Sequence, residues 1–452
     1  MNSAPQTNEF LSRVKHQIKD QKIRFVRVLW CDNANMIRGK AFHTDFLEEH
    51  QIHGVSISQA QQAIPVMYDA VVPESGLTPV GEVWLAPDWS TFQPLPYAPG
   101  HARVMGNMIS QGHPWSLCPR GFLQRMIAAA ETEGLQVMAA FENEFYLLRS
   151  DQEMAPADQT AFASTLGMDQ NQTVIHDITE ALMAQGIPVE RYYPESGTGQ
   201  HEIAIRYTNA LGAADRQIVF RETVRGVALR HHLRASFLPK LFADQAGSGC
   251  HLHLSLWREG KNLIPDDSQP GELSPIAQPF VAGLLWHLPA LMAITTPSVN
   301  SYRRLKPHFW SGAFRCWGKD NREAAVRIPS NPTAPSPTHI ELKTIDATAN
   351  PYLALGSAIA AGLNGIRQGL TLGEPVSIDP GYMPEADRLQ QGIDRLPEHL
   401  DEAIDHLAHD RLLLDTLGSE LAQAFLAVRR AEWNHLKEFT LEAEARLLVE
   451  RY

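Results

Sequence analysis

Two alternating apolar segments carry paired side chains of metal-binding type, and this pairing restricts how the chain can fold. Glu142 and Glu144 stand two apart in FENEF, and His251 and His253 stand two apart in CHLH. Because strand side chains alternate between the faces of a sheet, residues two apart point to the same face. The sequence therefore predicts two strands that each present a pair of ligands to one site.

Three further glutamates extend this predicted cluster. Glu195 and Glu202 are seven residues apart, so only a loop or turn between them brings both to one site, and Glu341 lies in HIELK. The predicted metal ligands are Glu142, Glu144, Glu195, Glu202, His251 and Glu341. Carboxylates with an imidazole suit Mg²⁺ or Mn²⁺ better than structural zinc. A single acid is more often solvated or salt-bridged, but two acids on one strand face need a cation or a raised pKa.

Charge and composition exclude several classes of protein. The formal net charge is −12 and no basic run offsets it, so we expect neither nucleic acid nor a membrane surface as a partner. The N-terminus is polar, without a signal-type segment, and we expect no run of the roughly 18 apolar residues that a membrane helix needs. The four cysteines are scattered, which favours neither a zinc site nor disulfides. The pattern indicates a cytoplasmic protein.

Length and patterning predict two domains. The chain has 452 residues, which is long for a single core. Residues 1–112 have the pattern of short strands joined by turns, whereas residues 113–452 alternate longer helices with strands. Residues 296–337 are loop-rich, with many prolines and arginines, apart from a strand in AAVRIP. Long loops inside a compact domain are usually functional.

A second cluster consists of arginines, most of which lie in the loops of this region. Its members are Arg303, Arg304, Arg315, Arg322 and Arg327. Arginine offers a fixed fork of donors that suits carboxylate and phosphate oxygens, although a solvated face or structural ion pairs would explain the cluster equally well. Gly247 and Gly249 would let the backbone approach a ligand closely, but a short glycine loop is weak evidence without the histidines that follow it.

Six segments, in order along nearly the whole chain, resemble the glutamine synthetase family: FENEFYLL, ESGTGQHEI, AGSGCHLHLS, NSYRRLKP, NREAAVRIP and ELKTIDATANPYLAL. The resemblance implies an α+β fold, with a β-grasp domain over residues 1–112 and a catalytic domain over 113–452 that has an antiparallel sheet backed by helices. It also implies divalent metal ions, ATP, and a homo-oligomeric double ring (a dodecamer) with active sites between neighbouring subunits.

The resemblance implies roles for the predicted ligands. The metal ion nearer the glutamate is expected to bind Glu144, Glu195 and Glu202. The metal ion that bridges the ATP phosphates is expected to bind Glu142, His251 and Glu341. The implied reaction forms a γ-glutamyl phosphate, from which a nitrogen nucleophile displaces phosphate.

The substrates have their own expected contacts. ATP is expected to contact His253, Ser255 and Lys343. Glutamate is expected at Arg304 and Gly247, and the transferring phosphate at Arg322 and Arg327. Lys343 departs from the family's arginine, which keeps the charge but loses the bidentate geometry, and Ala246 replaces the usual asparagine. No tyrosine occupies the family's adenylylation position, near residues 394–397.

Two further departures concern the nitrogen substrate. Ammonia-using members carry one acid just after the NSYRRLKP motif and another in an N-terminal loop; here these positions hold Trp310 and His53, while Ser56 still matches. An indole removes the attraction for a small cation and can pack an alkyl group or hold an alkylammonium. We therefore expect an organic amine as the acceptor, with Trp310 and Ser56 contacting substrate and His53 accepting a proton.

Several alternatives remain open from the sequence. Trp310 could be a packing residue and His53 a surface residue. The protein could be a true glutamine synthetase in which other groups replace the two missing acids. It could also be a catalytically silent scaffold or nitrogen sensor, although all six predicted ligand positions are filled.

Overall fold

Two sheets organise the described part of the chain, which is residues 4–331 and 338–452 of a computed structural model. A six-stranded sheet occupies the N-terminal part and a ten-stranded sheet the remainder. Helices accompany both sheets, which confirms the predicted α+β class. The end of the loop-rich segment predicted over 296–337, residues 332–337, lies outside the described residues.

The N-terminal elements are α1 (Ala4–Asp20), β1 (Phe25–Cys31), β2 (Ile37–His43), α2 (Leu47–His50), β3 (Val55–Ser58), β4 (Glu82–Pro94), β5 (His101–Ser110) and β6 (His113–Pro114). The sheet order is β2-β1-β5-β4-β3, with β6 on β5. The central pair β1–β5 is parallel and the other pairs are antiparallel. Val26 and Val28 alternate with less buried neighbours, so one face of β1 forms the core.

The elements that follow β6 begin with α3 (Pro119–Thr132), β7 (Gln136–Arg149), α4 (Thr165–Ala184), β8 (Val189–Pro194), β9 (Gln200–Ile205), β10 (Thr208–Asn209), α5 (Ala210–Arg230), β11 (Leu233–Ser236), β12 (Cys250–Arg258) and β13 (Lys261–Asn262). It continues with α6 (Ala277–Thr295), α7 (Ser301–Arg304), β14 (Phe314–Lys319), β15 (Ala324–Ile328), β16 (Ile340–Leu342), α8 (Pro351–Gln368), α9 (Glu385–Gln390), α10 (Leu400–His409), α11 (Arg411–Leu417), α12 (Ser419–Leu436) and α13 (Leu441–Leu448).

The large sheet has the order β14-β15-β16-β12-β7-β9-β8, with β10 and β11 on β7 and β13 on β12. Its pairs are antiparallel except β14–β15, which is parallel. Strand β15 was predicted in AAVRIP, whereas β14 lies in a segment predicted as loop. The long strands β7 and β12 lie side by side near the middle, so their side chains face a broad surface. The boundary predicted at 112/113 stays a prediction.

Helix α6 is the one helix of the described residues that is long and apolar enough to cross a membrane, by length and composition only. The sequence prediction concerned a run of about 18 apolar residues, and α6 does not contain one, because Gln278 and His287 interrupt it. The most apolar window of this helix is 72% buried inside the protein. It packs so closely on α8 that a Cβ on Gly283 would lie 2.2 Å from the Ala361 oxygen. A core helix enclosed by its neighbours is apolar on all sides.

Candidate active site

Strand register places the predicted ligands in adjacent rows on one face of the large sheet. On β7, Glu142 stands opposite His251 of β12. Two residues further along β7, Glu144 stands opposite Glu202 of β9. Because both pairs lie on the same face, the period-two prediction from FENEF is borne out by the geometry. Three strands that are distant in sequence therefore converge on one site.

Both histidines of CHLH reach the Glu142 carboxylate. His251 Nδ1 is 3.2 Å from Glu142 Oε2 and 3.4 Å from Glu341 Oε1. His253 Nε2 is 3.5 Å from Glu142 Oε2. Ligand atoms of Glu142, His253 and Glu341 all lie within 4.8 Å of one another, which is close enough to hold one metal ion. This group contains His253 where the family resemblance implied His251, so the division of roles between the two histidines stays a prediction.

A β-hairpin brings Glu195 to the acidic pair, as the spacing of ESGTGQHE required. Strands β8 and β9 pair antiparallel, and the Glu195 N–H donates to the Gln200 oxygen at 2.7 Å across the turn. The Glu195 carboxylate accepts a hydrogen bond from the Ser196 N–H at 2.8 Å. Glu144, Glu195 and Glu202 all line one cavity of about 610 Å³. The structure thus brings all three predicted ligands of one metal ion together.

These three carboxylates repel one another in a buried setting. Burial, and next the Glu195 charge, raise the pKa of Glu144 to about 7. Burial, followed by the charges of Glu142 and Glu144, raises the pKa of Glu202 to about 10. Burial also raises the pKa of Glu195. Such a cluster is stable as carboxylates only when a cation compensates its charge.

At the opposite end of the site, basic side chains already compensate the negative charge of Glu341. Glu341 Oε2 accepts a hydrogen bond from Arg327 Nη1 at 2.8 Å, and Glu341 Oε1 accepts one from Lys343 Nζ at 3.2 Å. Burial opposes ionisation of Glu341, but Lys343 and His251 outweigh it and lower its pKa to about 2. Burial lowers the pKa of His251 to about 4, which leaves the neutral imidazole that can bind a metal ion.

Two unpartnered atoms indicate that these residues fit divalent metal ions. Glu202 Oε1 and His251 Nε2 are buried, and neither has a hydrogen-bond partner among the described residues. Buried polar atoms without partners are rare, because each costs about 1–3 kcal/mol. Gly249 leaves room for the imidazole, since a Cβ at that position would lie 2.6 Å from His251 Nε2. Carboxylate oxygens with imidazole nitrogens are the donors expected for Mg²⁺ or Mn²⁺.

The predicted glutamate and phosphate contacts line the same cavity as the acids. They are Gly247 and Arg304 for glutamate and Arg322 and Arg327 for the phosphate, and Trp310, the predicted acceptor contact, lines the cavity with them. Arg304 is 6% exposed, and its Nη2 donates to the backbone oxygens of Lys343 and Ile345 at 3.2 and 3.0 Å. Its Nε is buried, and no residue that the structure describes accepts a hydrogen bond from it. A Cβ at Gly247 would lie 2.5 Å from Arg304 Cγ, so the glycine allows the arginine to reach the cavity.

A second cavity of about 480 Å³ shares Glu142 and Arg191 with the first. His253 and Ser255, both predicted to contact ATP, line it. Lys343, the third predicted ATP contact, lines the acidic cavity instead. Because Glu142 and Arg191 line both cavities, the predicted nucleotide contacts lie beside the carboxylates. The phosphate end of a bound nucleotide would meet the metal ions at this boundary.

His53 and Ser56 are the predicted site residues that one chain brings to neither cavity. His53 is exposed in the N-terminal part, with its ring 6.2 Å from that of Trp84. Ser56 lies on β3, where its backbone oxygen accepts a hydrogen bond from Lys40 Nζ. Because the resemblance implied sites between neighbouring subunits, both roles stay predictions.

Several lining residues were missed from the sequence. Arg191 and Tyr193 are two apart on β8, and Arg191 Nη2 lies 3.5 Å from Glu142 Oε1. Tyr193 stands opposite Glu202. The alternation in VERYYP could have indicated their shared face. Phe162 and Phe309 come from loops, and local patterning carries no signal for the direction in which they project.

A sheet face that combines clustered carboxylates, histidines and arginines is typical of enzymes that transfer phosphate groups with divalent metal ions. Comparison with known families identifies the particular class. The model of the glutamine synthetase N-terminal domain matches residues 10–115, and that of the glutamine synthetase catalytic domain matches residues 116–448. The chain belongs to the glutamine synthetase family. Members of this family are ATP-dependent ligases that use divalent metal ions.

Relatives of two kinds are similar to the chain. Type-1 glutamine synthetase 1 of Dictyostelium discoideum is 35% identical and the match covers 99% of this chain and 93% of that protein. Gamma-glutamylpolyamine synthetase GlnA3 of Streptomyces coelicolor is 36% identical, with coverage of 92% and 91%. A crystal structure of a glutamine synthase homolog superposes with a TM-score of 0.84 at 32% identity, covering 95% of this chain and 99% of the other. A GmaS/ADP complex gives 0.83 at 29% identity, covering 96% and 98%.

Proposed function

We propose that this ligase joins an organic amine to the γ-carboxylate of glutamate, through a γ-glutamyl phosphate. The observation that carries the proposal is Trp310. Its side chain lines the cavity that also holds Arg304 and the acidic cluster, at the position that the family resemblance equates with an acid of the ammonia-using members. The ring is 57% exposed, so it is available to a ligand. An exposed indole attracts an alkyl group or an alkylammonium better than it attracts hydrated ammonium.

In the proposed first step, glutamate attacks ATP. The Arg304 guanidinium would hold the α-carboxylate, because its buried Nε has no partner in the described part of the chain and its Nη2 donates to two backbone oxygens. A γ-carboxylate oxygen would attack the γ-phosphorus, with release of ADP. Arg322 and Arg327 would stabilise the charge on the transferring phosphate. Metal ions held by the six predicted ligands would supply further charge stabilisation when bound.

In the proposed second step, the amine replaces phosphate. The nitrogen lone pair would attack the γ-carbonyl carbon, the bond to phosphate would break, and a base would accept the proton that the nitrogen loses. His53 of a neighbouring subunit is our candidate base, because histidine is the side chain that most often acts as a general base in enzymes. This role requires the proposed homo-oligomeric ring, since His53 does not line the cavity within one chain. A cytoplasmic location remains a prediction of the sequence.

The aromatic lining gives the amine a second reason to bind in this cavity. Glu144, Glu195 and Glu202 line the same space as four aromatic side chains: Phe162, Tyr193, Phe309 and Trp310. Aromatic faces attract a protonated amine by cation–π contact and accommodate its carbon chain. The Streptomyces relative, named as a gamma-glutamylpolyamine synthetase, supports an amine of this kind. The Dictyostelium relative, named as a glutamine synthetase, supports ammonia as the alternative.

A panel of nitrogen donors tests the proposal. ATP, glutamate and Mg²⁺ would be supplied with ammonium chloride, methylamine, n-butylamine or 1,4-diaminobutane, and γ-glutamyl products would be identified by mass spectrometry. We expect faster turnover with at least one alkylamine than with ammonium. Rapid turnover with ammonium alone would replace the proposal by glutamine synthesis. Absence of both product and Mg²⁺-ATP binding would favour the silent scaffold or sensor.

A further inference from the structure

The loop of residues 306–311, which presents Trp310 to the cavity, is closed at its base by its own residues. The Lys306 N–H donates to Ser311 Oγ at 3.1 Å, and Ser311 Oγ donates to the Lys306 oxygen at 2.8 Å. Between these ends, Phe309 and Trp310 are 59% and 57% exposed. The loop therefore projects two aromatic rings from a narrow base.

The backbone of this loop is held in an unfavourable conformation. His308 has φ +67° and Trp310 has φ +54°, both in the left-handed region. Bulky residues seldom adopt this region, and such a conformation persists only when the surroundings impose it. The side chain of His308 is anchored on one side, because its Nδ1 lies 2.7 Å from Asp379 Oδ2. Another contact must hold Trp310.

Glu323 provides that contact. Its Oε1 accepts a hydrogen bond from the Trp310 N–H at 2.7 Å, and its side chain is buried, at 5% exposure. Glu323 directly precedes β15, and its own N–H donates to Asn321 Oδ1 at 3.0 Å. A hydrogen bond to a charged acceptor is stronger than one between neutral groups. Trp310 is thus tied to the rigid sheet that also carries the acidic site.

The residue before Glu323 contacts the indole itself. The Arg322 guanidinium carbon lies 5.8 Å from the centre of the Trp310 ring. Two consecutive residues therefore hold Trp310. Glu323 accepts a hydrogen bond from the Trp310 backbone, and Arg322 contacts the Trp310 ring. Because Arg322 lines the acidic cavity too, the position of the indole is linked to a predicted phosphate contact.

We infer that Glu323 is a positioning residue for acceptor choice: its carboxylate holds the 306–311 loop so that the Trp310 indole forms a wall of the acceptor pocket. The inference rests on the proposed function, in which Trp310 faces the nitrogen donor. Glu323 does not line the cavity, so it would act through Trp310 rather than by touching substrate.

Glu323→Ala and Glu323→Gln test this inference in the full-length protein. The alanine variant removes the acceptor, whereas the glutamine variant keeps a side-chain oxygen for the Trp310 N–H. We expect Glu323→Ala to raise the KM for n-butylamine about tenfold, with smaller changes in the KM values for glutamate and ATP. We expect Glu323→Gln to recover most of this loss. Glu385→Ala, which removes an exposed glutamate on α9, is the matched control and should behave as the parent.

Hydrogen exchange of the peptide that spans residues 306–311 gives a readout without substrate. Exchange at Trp310 should become faster in Glu323→Ala and stay slow in Glu323→Gln. Unchanged exchange in Glu323→Ala would overturn the inference, because the carboxylate would then not hold the loop. Faster exchange with an unchanged KM for n-butylamine would also overturn it, as would an equal rise of the three KM values.

The inference and the proposed function fail in different ways. Each kinetic series would be run with both n-butylamine and ammonium chloride. A parent enzyme that uses only ammonium contradicts the proposed function, and the ammonium KM then reports on Glu323 in the same way. A parent that uses n-butylamine, with no effect of Glu323→Ala, supports the proposed function and contradicts the inference.

Discussion

Glu144 and Glu202 stand directly opposite each other on the antiparallel strands β7 and β9, so two carboxylates share a partly buried space. Burial and neighbouring charges raise their pKa values to about 7 and about 10. An enzyme keeps such a repulsive pair when the pair binds a cation.

The metal-free protein should lose stability as pH rises. The folded-state pKa of Glu144, about 7, exceeds its ordinary value of 4.5, so the folded state binds a proton that the unfolded state releases between these pH values. The contribution of Glu144 to the free energy of unfolding is therefore greatest below about pH 4.5. This contribution falls as pH rises towards 7, by roughly 3 kcal/mol at most. Melting temperatures in EDTA between pH 5 and 8 would show the fall.

Mg²⁺ should reduce this pH dependence, because it favours the carboxylate forms and stabilises the folded state. Glu144→Gln should reduce the dependence in EDTA, since the amide does not titrate. Glu180→Gln, which changes an exposed glutamate on α4, should leave it intact. A flat profile for the parent in EDTA would contradict the prediction.

Gly249→Ala should weaken metal binding without unfolding the protein. The added Cβ would lie 2.6 Å from His251 Nε2, so the imidazole must shift from its present position between Gly249 and Glu142. Loss of ligand orientation typically costs about tenfold or more in metal affinity. The dependence of activity on Mg²⁺ concentration measures this loss. At Gly373 a Cβ meets nothing within 4 Å, so an alanine there is the control, and an equal effect of both substitutions would rule out the steric explanation.

Arg304→Lys should raise the KM for glutamate, by about tenfold or more, with less effect on the KM for ATP. Lysine keeps the positive charge but cannot donate two parallel hydrogen bonds to a carboxylate. Arg303 is a neighbouring control, because its guanidinium pairs with Glu444 instead of lining the cavity. Arg303→Lys should lower the melting temperature while leaving the glutamate KM unchanged. Equal glutamate KM values in parent and Arg304→Lys would remove Arg304 from the glutamate pocket.

Trp310→Glu should shift the preference from alkylamine towards ammonium. The substitution replaces an apolar face with an anion in the same cavity, and a change of about tenfold in the ratio of the two kcat/KM values is expected. Steady-state kinetics with ammonium chloride and n-butylamine measure the ratio. Trp286→Glu is the matched control, since Trp286 is 66% exposed and does not line the acidic cavity. If only the overall rate falls, Trp310 does not select the acceptor.

Local sequence determined which side chains share a face. The pairs Glu142–Glu144 and His251–His253 were assigned correctly, because alternation along a strand depends on neighbouring residues alone. The family segments identified the class of enzyme for a similar reason, since they combine residue type with spacing.

The tertiary structure decided which faces meet. The opposition of Glu144 and Glu202, and of His253 and Glu341, is a matter of register, which depends on the packing of whole strands and on turn geometry. The hydrogen bond from Trp310 to Glu323 joins a loop to the start of a strand, and local patterning carries no signal for such a contact. The sequence thus determined the set of ligands, whereas their convergence into one site depended on interactions between segments far apart in the chain.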